Sequence, residues 1–126
     1  MKRHQAREAA FQILFQMDMN DVEPKEALAA FAENQQIDTF TSRLVEGVYE
    51  HKQEVDEKII EKLENWSFQR VAAVEKAILR IAVFEILYID EIPKKVSINE
   101  AVELGKKYGD DHSGRFINGV LSKIDE

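Results

Sequence analysis

The sequence predicts an all-α fold built around one central helix, and three observations carry that prediction. Residues 71–89, VAAVEKAILRIAVFEILYI, hold no Gly or Pro and only four charged residues: Glu75, Lys76, Arg80 and Glu85. A run of good helix formers this long exceeds a strand, which usually stops at about 10 residues. Its apolar side chains fall on nearly every face, so other helices must cover it. Second, five Gly and two Pro in 126 residues are too few for an all-β chain, which turns roughly every 8–12 residues. Third, apolar residues in the rest of the chain recur mostly at spacings of three and four. The charges of the central segment must reach a surface or find partners, because unpaired buried charge is very costly.

The first helix is expected over residues 3–19, where Ala6, Ala9, Ala10, Ile13, Leu14 and Met17 form an apolar stripe of helical period. Arg3 and Arg7 lie one turn apart and project side by side, sharing a polar strip with Gln12 and Gln16; Phe11 and Phe15 are spaced the same way. Asn20-Asp21 interrupts the pattern, and Pro24 suits the first turn of a second helix over 24–34. Asp38 or Thr39 can cap a third helix over 40–52. Val55, Ile59, Ile60 and Leu63 mark a fourth; no Gly or Pro separates it from the third, and continuity between them stays open. Trp66 and Phe68 precede the central helix and are expected to anchor that connection in the core, with Ser67 as a cap.

After the central helix, Pro93 disfavours helix at Ile92. Ser97-Ile98-Asn99-Glu100 reads as a capping box opening a sixth helix to Tyr108, which Gly109 would end in the left-handed conformation. A polar turn, residues 110–114, leads to a last helix through Phe116, Ile117, Val120, Leu121 and Ile124. Gly119 falls inside that helix, where glycine costs about 1 kcal/mol relative to Ala; close passage of another backbone would explain it.

Length suits a single domain. The absence of cysteine excludes disulfides and thiolate chemistry and fits a reducing cytoplasm. No apolar run approaches the ~20 residues that span a bilayer, and the amino terminus lacks a secretory core. Net charge is −7, against non-specific nucleic-acid binding by the whole surface. Yet residues 1–8 carry Lys2, Arg3 and Arg7 against Glu8 alone, a basic tip on an acidic body that suggests an anionic partner.

No catalytic constellation emerges. His4, His51 and His112 are scattered without metal-ligand spacing. Asp111-His112-Ser113 holds the three triad residue types, but neighbours in a turn do not align as orienter, base and nucleophile. No phosphate-cradling glycine loop occurs. The chemistry therefore points to binding, without cofactor or metal. Cations at a helix start can contact phosphates, and aromatics or glutamines can stack on or hydrogen-bond to unpaired bases. The blander alternatives are a solvated helix start for Lys2, Arg3 and Arg7, surface ion pairing for Glu75, Lys76 and Arg80, and a simple connecting turn for residues 110–115.

Three segments resemble, in order and spacing, the family of the bacterial antitermination factor NusB: RHQAREAAFQILFQMD, VEKAILRIAVFEI with the following IPKKVSINEAVELGKKYG, and SGRFINGVLSKI. Residues 20–65 add little to the likeness. The resemblance implies a NusB-like bundle of about seven helices in two subdomains, about 1–52 and 53–126 of one RNA-binding domain, and no catalysis. It implies binding to boxA, a short single-stranded element of nascent RNA, notably in ribosomal RNA leaders. It further implies NusE, also a small-subunit ribosomal protein, as partner, with other Nus factors and RNA polymerase joined through the pair. Carried over, Lys2, Arg3 and Arg7 match the arginine-rich start that contacts RNA, and Gln12, Phe15, His112, Ser113, Arg115 and Phe116 match the neighbouring surface. Glu75 and Arg80 fall in the segment resembling the NusE-facing helix.

The amino-terminal arm is shorter and less basic than in family members with consecutive arginines. Few phosphate contacts mean weak binding alone and a shallow salt dependence, so NusE is expected to supply much of the affinity. Two alternatives remain: a helical protein–protein adaptor without RNA contact, and a stand-alone module akin to the RNA-binding front domain of ribosomal RNA cytosine methyltransferases, since the chain stops at Glu126. Monomer and homodimer are both compatible with the sequence.

Overall fold

The computed structural model describes residues 2–64 and 67–124; Trp66, expected to anchor a connection, lies outside them. Among the described residues there are seven α-helices, one 3-10 turn and no strand. Helix α1 spans Arg3–Asn20, α2 Pro24–Ala32, α3 Thr39–Glu50, α4 Lys52–Lys62, α5 Ala73–Tyr88, α6 Lys94–Tyr108 and α7 Asp111–Leu121. The 3-10 turn, Phe68–Arg70, precedes α5.

Helix α5 is the axis. Every side chain from 77 to 86 is buried, Arg80 and Glu85 included, and α1, α3, α4, α6 and α7 all pack against it. The apolar stripe of α1 is buried as its spacing predicts, from Ala6 to Met17. Helix α2 buries no residue completely; Ala27, Leu28 and Phe31 lean on the core from its edge. Pro24 occupies its first turn, and the Asp38 carboxylate caps α3 by accepting from the Phe40 N–H at 2.8 Å.

Helices α3 and α4 are separate. The chain bends at His51 (φ −105°, ψ 20°), whose ring stacks on Tyr88 at 4.2 Å. Phe68 is half-buried against the core, whereas the Ser67 side chain makes no capping bond.

Several expected boundaries move. Helix α6 begins at Lys94, not Ser97, because Pro93 already holds the helix-compatible φ of −60° at its entry. Ser97 is therefore no cap; it is buried, and its hydroxyl donates to Glu85 Oε1 at 2.9 Å. Gly109 has φ −115°, so it is not left-handed. A side chain there would instead strike Ser113 Oγ and the Gly105 carbonyl, at 2.5 and 2.9 Å. Residues 111–114 are the first turn of α7, not a loop, because the Asp110 carboxylate caps them by accepting from the Ser113 N–H at 2.8 Å. Gly119 has open space where a Cβ would stand; the close backbone approach is at Gly105, whose Cβ would lie 2.6 Å from Ile117 Cδ1 and 3.5 Å from Gly114 Cα.

Candidate nucleic-acid interface

The candidate interface residues lie on α1 and on the adjoining ends of α6 and α7. Lys2 and Arg3 are exposed at the start of α1, and Gln5 Oε1 accepts the Lys2 N–H at 3.1 Å. The Arg3 guanidinium lies 4.1 Å from the centre of the Phe40 ring, a cation–π contact that restricts it while leaving it in water. One turn later the geometry inverts. Arg7 is 4 % exposed and grips Glu85 with two hydrogen bonds of 2.9 and 2.8 Å. Glu100 stands 3.6 Å away, and the Phe40 ring lies 5.3 Å from the same guanidinium. Arg3 and Arg7 thus flank one aromatic ring, the first facing solvent and the second facing the core. Arg7 ties α1 to α5 and, through Ser97 and Glu100, to α6.

Gln12 is exposed and Phe15 half-buried, the Phe15 ring 5.9 Å from that of Phe11. Both line an open groove of about 750 Å³ between α1 and α2, with Phe31, Val74 and Tyr108. Tyr108 is the hinge-pin of this region. Its ring lies 4.7 Å from Phe11, its hydroxyl donates to Glu8 Oε2 at 2.6 Å, and Gln12 Nε2 donates to the same hydroxyl at 2.9 Å. Lys107 Nζ approaches Glu8 Oε2 at 2.5 Å. The hydrogen bond and charge of Lys107, then the Tyr108 hydroxyl, hold the Glu8 carboxyl below its usual range. The same contact raises Lys107, and burial followed by Glu8 raises Tyr108.

At the start of α7, His112 and Arg115 are exposed, Phe116 is half-buried, and Ser113 is buried. The Ser113 backbone N–H holds the Asp110 carboxyl below its usual range. Lys106 and Lys107, exposed on the last turn of α6, add cations beside this tip. The pattern of the sequence does not single out Tyr108, whereas the lysine pair before it is a local signal of positive charge.

The two residues expected to face the partner separate. Glu75 is half-buried in the first turn of α5. Arg80 is 8 % exposed, with two hydrogen bonds to Asp56 at 2.8 and 3.1 Å and one to Asp18 at 3.0 Å. It joins α5 to α4 and α1, its donors engaged inside the fold. Among the described residues no His, Asp and Glu cluster could hold a metal ion, and no helix is long and apolar enough to cross a membrane.

The comparisons with known proteins agree with this architecture over nearly the whole chain. The family described as NusB matches residues 4–126. The transcription antitermination protein NusB of Oceanobacillus iheyensis is 55 % identical over 124 residues, 98 % of each chain. A solved structure of T. maritima NusB superposes with a TM-score of 0.88 at 33 % identity, covering 98 % of this chain and 90 % of that one. A chain from the crystal structure of antitermination factors NusB and NusE in complex with double-stranded RNA gives 0.86 at 31 % identity, covering 97 % and 96 %. This chain belongs to the NusB family.

Proposed function

We propose that this chain is a cytoplasmic transcription antitermination factor that binds boxA single-stranded RNA together with NusE and supports ribosomal RNA transcription by binding alone, without a catalytic step. The observation that carries the reading is the near-full-length match to NusB proteins, one of which is solved with NusE and RNA. The geometry adds a division of labour. Lys2, Arg3, Lys106 and Arg115 are exposed cations suited to phosphates, while Gln12, His112, Phe15 and Phe116 offer hydrogen bonds and ring faces to unpaired bases. Arg7 and Ser113 are buried and hold the two tips in place from within. Glu75 faces NusE, and Arg80 fixes the helix that carries it.

Exposed cations suited to phosphates are few, so binding without NusE is weak and NusE supplies much of the affinity. Fluorescence-polarisation titration of boxA and scrambled RNA, with and without NusE at two salt concentrations, tests the reading. Selective binding that tightens with NusE is expected. Equal affinity for both RNAs, or a NusE complex that binds boxA no better than this protein alone, would overturn it.

A further inference from the structure

The groove beside α1 carries a fixed polarity that follows from hydrogen-bond bookkeeping. A carboxylate can only accept. The Tyr108 hydroxyl, 2.6 Å from Glu8 Oε2, must therefore spend its one proton on Glu8. Whatever else approaches that hydroxyl has to donate. The side chain that approaches is Gln12, 2.9 Å away, so its NH2 end turns toward Tyr108 and its carbonyl end turns away. An amide whose orientation is usually ambiguous is assigned here by its neighbours. Gln12 Oε1 makes no hydrogen bond among the described residues, and Gln12 is exposed on the wall of the groove that Phe15 also lines.

We propose that Tyr108 is a specificity-determining positioning residue: by locking the Gln12 amide it presents Oε1 to the groove as a lone acceptor, selecting an RNA base that offers an amino group over its keto counterpart. This rests on the RNA-binding reading above. The half-buried Phe15 ring gives such a base a face to stack on, and Gln12 reads its edge. An adenine or cytosine amino group satisfies Oε1, whereas a keto oxygen in the same place sets acceptor against acceptor, and discrimination of that kind is large because the polar group is left unpaired. The lock holds across the neutral range. Lys107 neutralises Glu8, whose carboxyl stays ionised because it is held below its usual range, and Tyr108 keeps its proton because its own value is raised.

The test uses the complex with NusE and boxA RNAs in which each amino-bearing base is replaced singly by its keto counterpart, inosine for adenosine and uridine for cytidine. Wild type, Tyr108→Phe and Gln12→Ala are compared by fluorescence polarisation. In wild type one position is expected to lose about tenfold or more in affinity on replacement. Tyr108→Phe keeps the ring against Phe11 and frees the amide to turn, so the loss at that position should fall below about threefold, with the salt slope unchanged. Gln12→Ala should flatten the same position, and circular dichroism should report both variants folded.

A penalty that persists in either variant overturns the inference. So does a wild type that prefers boxA over scrambled RNA yet shows no such position, and so does a Tyr108→Phe variant that loses NusE affinity while keeping its base discrimination. A wild type indifferent to boxA and scrambled RNA would be the separate failure of the RNA-binding reading itself.

Discussion

Two arginines bind α1 to α5, and they do so in opposite surroundings. Arg7 reaches from α1 to Glu85, whose side chain is 1 % exposed, and Ser97 adds a hydrogen bond to the same carboxylate. One cation meets one sealed anion, with Glu100 as a looser neighbour. Arg80 reaches from α5 to Asp56 and Asp18, whose side chains are 19 % and 30 % exposed. Water can replace a lost partner at the second node and cannot at the first. The sealed pair should therefore be intolerant of truncation, and the outer one forgiving.

The largest expected effect is at Glu85. Glu85→Ala leaves the Arg7 charge buried without its partner and should cost about 3–5 kcal/mol in urea unfolding. The double variant Arg7→Met with Glu85→Leu should recover most of that loss, because apolar side chains of similar volume replace a buried pair at little cost. A Glu85→Ala cost under about 1 kcal/mol, in the range of a surface pair, would erase the contrast. Arg80→Ala should cost less, about 1–3 kcal/mol. Its penalty should shrink in 1 M salt, where the Debye length is about 3 Å, while the Glu85→Ala penalty should not.

Glu8 offers a more exposed link of the same kind, between α1 and α6. Its folded pKa lies below the ordinary 4.5, so folding favours the carboxylate. The stabilisation is complete above 4.5 and is lost as pH falls through the lower folded value. Thermal unfolding of wild type and Glu8→Gln should therefore differ near neutrality and converge in acid below 4.5. Arg3→Ala should do least to the fold, within about 0.5 kcal/mol of wild type. It should still reduce the salt slope of RNA binding by about 1 if Arg3 contacts one phosphate. An unchanged slope would remove Arg3 from the phosphate contacts.

The central helix was legible because it is long, apolar and free of breakers, and the structure trims it only at its ends. Pro24 and Asp38 were legible because a first-turn proline and an N-cap act within their own few residues. Ser97 was not. Its pattern with Glu100 is a local capping signal, whereas the partner that buries it, Glu85, stands twelve residues away on another helix. The start of α7 looks like a turn in sequence because Asp111 and His112 are polar; the cap that makes them helical is a single carboxylate, that of Asp110. For the proposed interface, Lys2, Arg3 and Gln12 came with the family pattern. The inward turn of Arg7 was hinted at by its place beside Ala6 and Ala10 and by a glutamate in the middle of the most apolar helix. Tyr108 was hidden, because its importance lies in three contacts with a helix about a hundred residues away in sequence, α1.

The crossing of α6 and α7 sets a rule about chain length. Gly105 and Gly114 let the two backbones approach closely, with Ile117 Cδ1 seated on Gly105, and only residues 109 and 110 separate the helices. One residue inserted there would rotate α7 by about 100° and carry Ile117 away from Gly105. The six residues between α2 and α3 could absorb the same insertion as slack. An insertion is thus tolerable at one joint and not at the other, and the interval from Gly105 to Gly114 acts as a ruler that sets the distance of His112 and Arg115 from the end of α6.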